Sequence, residues 1–237
     1  MKEEPPPSWQ YDEFKHAGVD YASAEVAKEY DAHHTRIRDY EKDARLIMDR
    51  IGLKPEESVM DIGCGTGAIL LPMARHCRKV YGADVSSAML ELCQMKARQQ
   101  GILNIETQHA GFLTFQSPPE PLDAVISVAT LHHLPDFWKG VALSRIHNCL
   151  KPGGKFYLFD VVFSFSPRDY YQELESWVNG MQKKAGEAMA EESRVHIRDE
   201  HSTYEWIMDG MLEKTGFAIH EKHADFPRCI AYLCSRK

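Results

Sequence analysis

Three features that would narrow the function are missing from this sequence of 237 residues: a long apolar run, a basic block and a paired-cysteine motif. No apolar segment approaches the roughly 20 residues that a membrane-spanning helix needs. The polar, proline-rich stretch from Met1 to Gln10 also lacks the apolar core of a secretory signal. We therefore expect a cytoplasmic protein that does not contact a membrane.

The charge balance is the next constraint, because 35 acidic residues outnumber 28 basic ones and give a net charge of -7. A negative field opposes non-specific contact with nucleic acid, so no nucleic-acid partner is expected. We expect a monomer or a homodimer. The six cysteines stand apart, without zinc-like spacing, which indicates reduced thiols and no structural metal; they are Cys64, Cys77, Cys93, Cys149, Cys229 and Cys234.

Twelve histidines raise the question of a metal site, and two adjacent pairs stand out, His33 with His34 and His132 with His133. Adjacent histidines rarely bind one ion, and no H-x-x-x-H or H-x-x-E pattern accompanies them. The sequence therefore predicts no metal.

Hydrophobic periodicity changes along the chain. Residues 11–51 carry apolar and aromatic positions at helical spacing, which predicts two or three helices. From Ser58 onward, short apolar runs alternate with helix-length segments; the runs are Val59 to Ile62, Val80 to Ala83, Ile105 to Thr107, Ala124 to Val128 and Lys155 to Val161. Two further strands are predicted at Gly216 to Lys222 and Cys229 to Ser235. The pattern predicts an α/β fold, with a doubly wound, Rossmann-like, seven-stranded and mainly parallel sheet covered by helices on both faces.

We predict a single domain over residues 1–237. Its parts are a helical lid over 1–51, a ligand-binding core over 52–162, a helical cap over 163–215 and a C-terminal antiparallel hairpin over 216–237. Ligands of doubly wound sheets bind at the carboxyl ends of the strands, so the functional site is expected at that edge.

A glycine-rich segment, Asp61-Ile62-Gly63-Cys64-Gly65-Thr66-Gly67, leads from the first predicted strand into a helix expected near Ala68. Glycines let the backbone turn sharply and approach a ligand closely. The spacing fits neither a dinucleotide nor a triphosphate motif. Asp84 ends the next strand, where a carboxylate can hold a ribose diol; its alternative role is the N-cap of a helix starting near Ser87.

These residues resemble the first motif and the ribose-binding acid of class I S-adenosylmethionine (SAM)-dependent methyltransferases. Leu122 to Ser127, Leu131 to Leu134 and Leu150 to Gly154 match the family's later motifs in order. The similarity is to the type 11-like group, which includes ubiquinone and menaquinone C-methyltransferases and sugar O-methyltransferases.

The resemblance implies SAM as cofactor, S-adenosylhomocysteine (SAH) as product, and residues 52–162 as the SAM-binding core. It further implies donor contacts from Tyr30, Arg38, Asp61, Gly63, Cys64, Gly65, Thr66, Gly67, Asp84, Val85, Met89, Gly111, Phe112 and Ala129. One departure is Gly111, which stands where the family has an acid that contacts the adenine amino group. The Phe112 amide and packing against Met89 are the expected substitutes.

His132, His133 and Asp160 are the candidate catalytic residues. In an extended segment adjacent side chains point to opposite sides, so we expect one imidazole to face the acceptor. Similar sugar O-methyltransferases have a histidine and an aspartate at corresponding positions, which suggests His132 as base and Asp160 as its orienting group. The alternative is that both histidines are hydrogen-bonded wall residues.

The predicted function is SAM-dependent methyl transfer to a small molecule. Within the cap, the alternation of Arg194, His196 and Arg198 would place three cationic or titratable groups on one side if extended, which favours an anionic acceptor. Two alternatives remain open: a SAM-binding regulator or partner subunit without transfer chemistry, and an RNA methyltransferase, which the acidic balance disfavours.

Overall fold

The computed structural model describes residues 7–15, 18, 39–226 and 228–237. One sheet runs through these residues, formed by β1 (Ser58–Ile62), β2 (Lys79–Asp84), β3 (Ile105–His109), β4 (Leu122–Val128), β5 (Leu150–Phe163), the two-residue β6 (Thr203–Tyr204), β7 (Phe217–Phe226) and β8 (Cys229–Arg236). Within the described ranges, no helix is long and apolar enough to cross a membrane.

The strand order is β3-β2-β1-β4-β5-β8-β7, with β6 paired to β5 beside this path. Strands β1 to β5 pair in parallel, and β8 pairs antiparallel with both β5 and β7. The predicted doubly wound sheet with a C-terminal hairpin is confirmed; the short β6, which has no hydrophobic run of its own, is the additional strand.

Seven α-helices are described: α1 (Tyr40–Ile51), α2 (Leu70–Ala74), α3 (Ser87–Gln99), α4 (Asp136–Cys149), α5 (Tyr170–Ala185), α6 (Glu187–Asp199) and α7 (Glu205–Lys214). Local signals set several of their ends. Asp39 caps α1 by accepting from the Lys42 amide, and Gly52 ends that helix in the left-handed conformation. The helix after the glycine segment begins at Leu70 rather than near Ala68, because residues 63–69 form turns first.

The core lies on both faces of the sheet, as β5 illustrates. Phe156 and Leu158 pack into the cluster that contains Ile146 of α4, whereas Tyr157 packs into the cluster that contains Ile47 of α1. Alternate residues of a strand face opposite sides, and each fully buried side chain of this size contributes about 1.5–3 kcal/mol. The polar carboxyl ends of the parallel strands are thereby held at one rigid edge.

Candidate functional site

The glycine segment forms a tight loop at the carboxyl end of β1. The amides of Gly63 and Cys64 both donate to the Ala83 carbonyl at the end of β2, at 2.8 and 3.1 Å. Gly63 has a φ of 83°, and a Cβ there would lie 2.4 Å from Thr130 Cγ2. Gly65 has a φ of 51°, but no described atom lies within 4 Å of the Cβ position there. Gly63 is therefore needed because Thr130 leaves no room for a side chain, whereas the backbone of Gly65 is open toward the site.

Two carboxylates flank this loop. The Gly65 amide donates to Asp84 Oδ2 and the Ser86 amide donates to Asp84 Oδ1, each at 2.8 Å. The N-cap of α3 is Ser86, whose hydroxyl accepts from the Met89 amide, so the alternative role of Asp84 as N-cap is wrong. Asp84 instead connects the end of β2 to the glycine loop, because each of its carboxylate oxygens accepts one backbone amide.

Asp61 is 3% exposed, and its Oδ1 has no hydrogen-bond partner among the described residues. Burial, and then the charge of Asp84, raises the pKa of Asp61 to about 8. A buried carboxylate without a partner is costly unless a ligand supplies a donor. This atom is therefore the clearest sign that the site is shaped for a polar ligand.

The remaining residues expected at the donor lie in this loop or follow β2, β3 and β4. Thr66, Met89 and Phe112 are buried, and Cys64 lies under the loop with its Sγ 2.9 Å from where a Gly82 Cβ would be. Val85 is 39% exposed. The other members are positioned by backbone conformation, namely Gly67 with a φ of 78° and Ala129 with a φ of 57°. Tyr30 and Arg38 lie outside the described residues.

A carboxylate that sequence reasoning missed lies at Gly111. Glu13 accepts from the Leu113 amide at 2.9 Å and from the Thr114 hydroxyl at 2.7 Å, and a Cβ on Gly111 would lie 2.4 Å from Glu13 Oε2. Burial raises the pKa of Glu13, although the bonds from Thr114 and Leu113 oppose the rise. The missing side chain at 111 is thus what leaves room for an acid from the N-terminal segment.

His132 and Asp160 form the expected pair. His132 Nδ1 and Asp160 Oδ1 are 2.5 Å apart, and the His132 amide donates to Asp160 Oδ2 at 3.0 Å. Both residues are buried. The pair spans the loop after β4 and the carboxyl half of β5, next to Thr130, whose hydroxyl donates to the Ile62 carbonyl at 3.1 Å. It therefore stands beside the end of β1.

The histidine segment is not extended: residues Leu131–His133 form a 3-10 turn, and the two imidazole centroids are 4.4 Å apart. The expectation that they point to opposite sides is wrong, because the chain must turn here to enter α4. Both rings belong to one cluster, and its third member, Glu200, was not predicted. Glu200 Oε2 lies 3.2 Å from His132 Nε2 and contacts His196 Nδ1.

Backbone contacts fix Glu200 in this place. The amide of the next residue, His201, donates to the His132 carbonyl at 2.8 Å. The buried Lys139 of α4 donates to the His201 carbonyl and, at 2.8 Å, to Asp136 Oδ1. The segment after α6 is therefore attached to the turn that carries His132.

Burial and the charges within the cluster shift the pKa values of its members. Burial alone lowers the pKa of His132, but Asp160 and Glu200 raise it to about 9. Burial and the charge of His132 lower the pKa of His133 to about 3. Burial would raise the pKa of Glu200, yet the bonds from His132 and His196 hold it well below its usual range. The described conformation thus has a charged His132 between two carboxylates and a neutral His133.

The proposed cationic face of the cap is wrong. Arg194, His196 and Arg198 lie on helix α6, not on a strand, so His196 points away from the two arginines. Arg194 pairs with Glu187 and Glu191 on its own helix, and Arg198 pairs with Asp199. His196 faces inward, with its Nε2 2.7 Å from Ser202 Oγ. Because the three side chains do not form one cationic face, they give no reason to expect an anionic acceptor.

Comparison with known proteins points to one family. Residues 59–154 match the model of a family described as a methyltransferase domain. An uncharacterized methyltransferase of Geobacillus kaustophilus is 31% identical over 117 residues, which are 49% of this chain and 53% of that protein. The chain therefore spans about half the length of the curated relatives it matches.

Solved structures show the same fold. A SAM-dependent methyltransferase from Clostridium acetobutylicum aligns with a TM-score of 0.67 at 14% identity, covering 90% of this chain and 98% of that chain. The magnesium protoporphyrin IX methyltransferase from Synechocystis, solved with bound SAM, aligns with a TM-score of 0.60 at 17% identity, covering 94% and 100%. At these identities the likeness concerns the fold.

Proposed function

We propose that this chain, whose residues 59–154 match a methyltransferase-domain family, is a class I SAM-dependent methyltransferase that transfers the methyl group of SAM to a small-molecule acceptor. The observation that carries the proposal is the pair of carboxylates at the glycine loop, Asp61 and Asp84, on adjacent parallel strands. Asp61 Oδ1 is buried without a described partner, and the open backbone of Gly65, in the loop after β1, donates its amide to Asp84.

SAM fits these residues. Its ammonium group would supply the donor that Asp61 lacks, and its ribose hydroxyls would bind the lone pairs that Asp84 does not use on Gly65 and Ser86. We assign further contacts with SAM to the other residues of the glycine loop and to Ala129 after β4. Val85, Met89 and Phe112 would contact its adenine ring.

We assign Glu13 as acceptor of the adenine amino group, in place of the acid that the family has at position 111. Its Oε2 occupies the space beside Gly111, and Val85 Cγ1 lies 2.8 Å from the same Cβ position. Phe14 extends this contact, because its ring packs against His109 at 5.2 Å. The N-terminal segment would thereby cover the adenine ring, and its Glu13 would accept a hydrogen bond from the adenine amino group.

The acceptor is assigned to the cluster around His132. The sulfonium of SAM already activates the methyl carbon, so the protein has to hold a nucleophile in line with it and exclude water. Asp160 fixes the His132 ring through Nδ1, which leaves Nε2 to receive a proton from the acceptor. Because Nε2 faces Glu200 at 3.2 Å and the two carboxylates keep the ring protonated, base assistance by His132 requires Glu200 to move aside and the ring to release that proton first.

A small acceptor is supported by the cap. Helices α5 and α6 and the segment after them close over the cluster, and Trp177 packs against His196 with centroids 5.3 Å apart. The net charge of -7 disfavours RNA. A SAM-binding regulator is the rival function; it requires the donor loop but gives no role to the buried cluster.

The test is calorimetric titration of SAH into wild type, Asp84→Ala and a matched control, Asp123→Ala. Asp123 accepts from the Ser58 amide at the opposite end of β1, so its loss should leave affinity unchanged. Loss of charge-assisted bonds at Asp84 should cost about 1.5–3 kcal/mol, or roughly 10- to 100-fold in Kd. Absence of binding to wild type would end the proposal.

Measuring the turnover of SAM distinguishes a methyltransferase from a SAM-binding regulator. Small-molecule fractions of a cell extract are incubated with methyl-labelled SAM, and both SAH formation and label in the acceptor are followed. Acceptor-dependent turnover that is lost in Asp160→Ala supports methyl transfer. Tight SAH binding without turnover in any fraction would favour the regulator.

A further inference from the structure

The cluster around His132 contains more ligand atoms than a proton-transfer pair uses. We infer that His132, His133 and Glu200 bind a divalent transition-metal ion, with a fourth coordination position left open. Adjacent histidines rarely bind one ion, but the 3-10 turn at Leu131–His133 brings these two rings to a centroid distance of 4.4 Å, so the expectation of no metal does not hold for this pair. One nitrogen from each imidazole and one carboxylate oxygen all lie within 4.8 Å of one another. Two imidazoles and one carboxylate with an open position are a ligand set of catalytic zinc sites and of other divalent first-row metals.

The spacing of the ligand atoms agrees with a shared ion. Two atoms bound to zinc at about 2.0–2.1 Å in tetrahedral geometry are roughly 3.3 Å apart. His132 Nε2 and Glu200 Oε2 are 3.2 Å apart, longer than the roughly 2.7–2.9 Å of a direct charge-assisted bond. Side-chain movements on the order of 1 Å would bring all three atoms onto one ion.

The outer contacts are those that metal ligands need. A ligating histidine usually donates its other ring nitrogen to a carboxylate or carbonyl, which fixes the ring and its tautomer. Asp160 takes that place on His132, 2.5 Å from Nδ1. Glu200 is itself contacted by His196 Nδ1, and His196 Nε2 is held by Ser202 Oγ at 2.7 Å. These partners would hold two of the three ligands in place.

Charge agrees with a bound cation. Asp160 and Glu200 place two carboxylates in one buried cluster, with side-chain exposures of 1% and 3%. Without an ion, Asp160 pairs with His132, and Glu200 pairs with His132 and His196. A divalent cation bound by neutral imidazoles would take over this pairing and balance both carboxylates.

This site extends the proposed function. Metal binding itself does not depend on that function, but the role of the open coordination position rests on it. An acceptor oxygen, nitrogen or sulfur bound there would lose its proton to solvent more readily. The acceptor–methyl bond would then form as the methyl–sulfur bond breaks, giving SAH. His132 would act as a ligand in this case and not as the base, so a chelator would abolish turnover that a base alone would leave intact.

The binding experiment uses the full chain after dialysis against a chelator. Zn²⁺ is titrated into wild type, His133→Ala, Glu200→Gln and a matched control, His220→Ala, whose exposed ring bonds Ser235 Oγ on the hairpin. We expect one equivalent to bind wild type and His220→Ala, with affinity at least about 100-fold weaker in the two ligand variants. Unchanged affinity in those variants, or no binding to wild type, would overturn the site.

Two further measurements guard against misfolded variants and against confusion with the donor site. Co²⁺ bound to wild type should show visible absorption bands of nitrogen and oxygen coordination; their absence with Co²⁺ bound contradicts the ligand set. SAH titrated into the metal-free protein tests the donor site alone. SAH binding without Zn²⁺ binding removes only this inference, whereas Zn²⁺ binding without SAH binding removes only the proposed function.

Discussion

Replacing Asp61 with asparagine should stabilise the ligand-free protein at high pH. Asp61 is buried, its Oδ1 has no described partner, and Asp84 lies nearby. Its pKa is about 8 in the folded chain, against an ordinary value of 3.8. Between these values the folded protein keeps a proton that the unfolded chain has released, so the free energy of unfolding falls as pH rises.

The size of the effect follows from the same shift. Each pKa unit is worth about 1.36 kcal/mol, so the full rise sets an upper bound of roughly 6 kcal/mol. Because the effective dielectric constant at buried sites in proteins is higher than that of a dry interior, we expect a loss of only a few kcal/mol in wild type between about pH 4 and pH 8. Asparagine keeps the shape without the charge, so Asp61→Asn should lack this part of the slope.

The measurement is urea unfolding of wild type and Asp61→Asn across that pH range. Asp123→Asn is the control of opposite sign, because Lys151 and Ser58 lower the pKa of Asp123 although burial opposes them. Its carboxylate stabilises the fold above its unfolded pKa and ceases to do so as pH falls. The reasoning is refuted if wild type and Asp61→Asn show the same dependence on pH, or if Asp61→Asn is less stable at high pH.

Two further predictions concern the loop and the N-terminal acid. Gly63→Ala should cost about 2 kcal/mol or more in urea unfolding, since its Cβ would meet Thr130 at 2.4 Å. Gly65→Ala should cost about 1 kcal/mol in stability but weaken SAH at least about 10-fold by closing open backbone; equal effects of the two changes would contradict the assignment. Glu13→Ala should weaken SAH about 10-fold in calorimetry, and Gly111→Asp should restore binding only in that background. SAH binding by Glu13→Ala as tight as wild type would exclude the adenine contact.

Much of the fold was predictable because its signals are local. Each strand of the parallel core is a short apolar run closed by turn residues, and the glycine segment must follow β1 for its amides to reach Ala83. The resemblance to sugar O-methyltransferases suggested the His132–Asp160 pair, and the topology agrees with it, since β4 and β5 are neighbours and their carboxyl ends share an edge. Short-range pattern was sufficient for the strands and the glycine segment, whereas the pair also needed the resemblance.

The errors arose where one pattern fits two conformations. Arg194 and Arg198 are four residues apart, a spacing that fits one helical face as well as one side of a strand. Glu187 and Glu191 favour the helix by pairing with Arg194 within it. His132 and His133 likewise were read as extended, although the chain must turn before α4.

The missed carboxylates were beyond any local pattern. Glu13 meets Leu113 across 100 positions of sequence, and Glu200 meets His132 across a cap whose packing the periodicity does not specify. The only sequence signal for Glu13 was indirect, namely the absence of a side chain at Gly111. A missing acid at a site that needs one is a reason to search elsewhere in the chain.

The N-terminal segment contacts both halves of the site. Glu13 lies at Gly111 after β3, while Gly18, with a φ of 82°, lies so close to Glu200 that a Cβ would be 2.0 Å from its Oε1. Tyr11 reaches the His133 carbonyl at 3.5 Å. Because Glu13 contacts the loop after β3 whereas Tyr11 and Gly18 contact the His132 cluster, a shift of these residues would affect both parts of the site. The described N-terminal residues thus contact both parts of the site, and neither Glu13 nor Glu200 lies within residues 59–154, which match the methyltransferase-domain family.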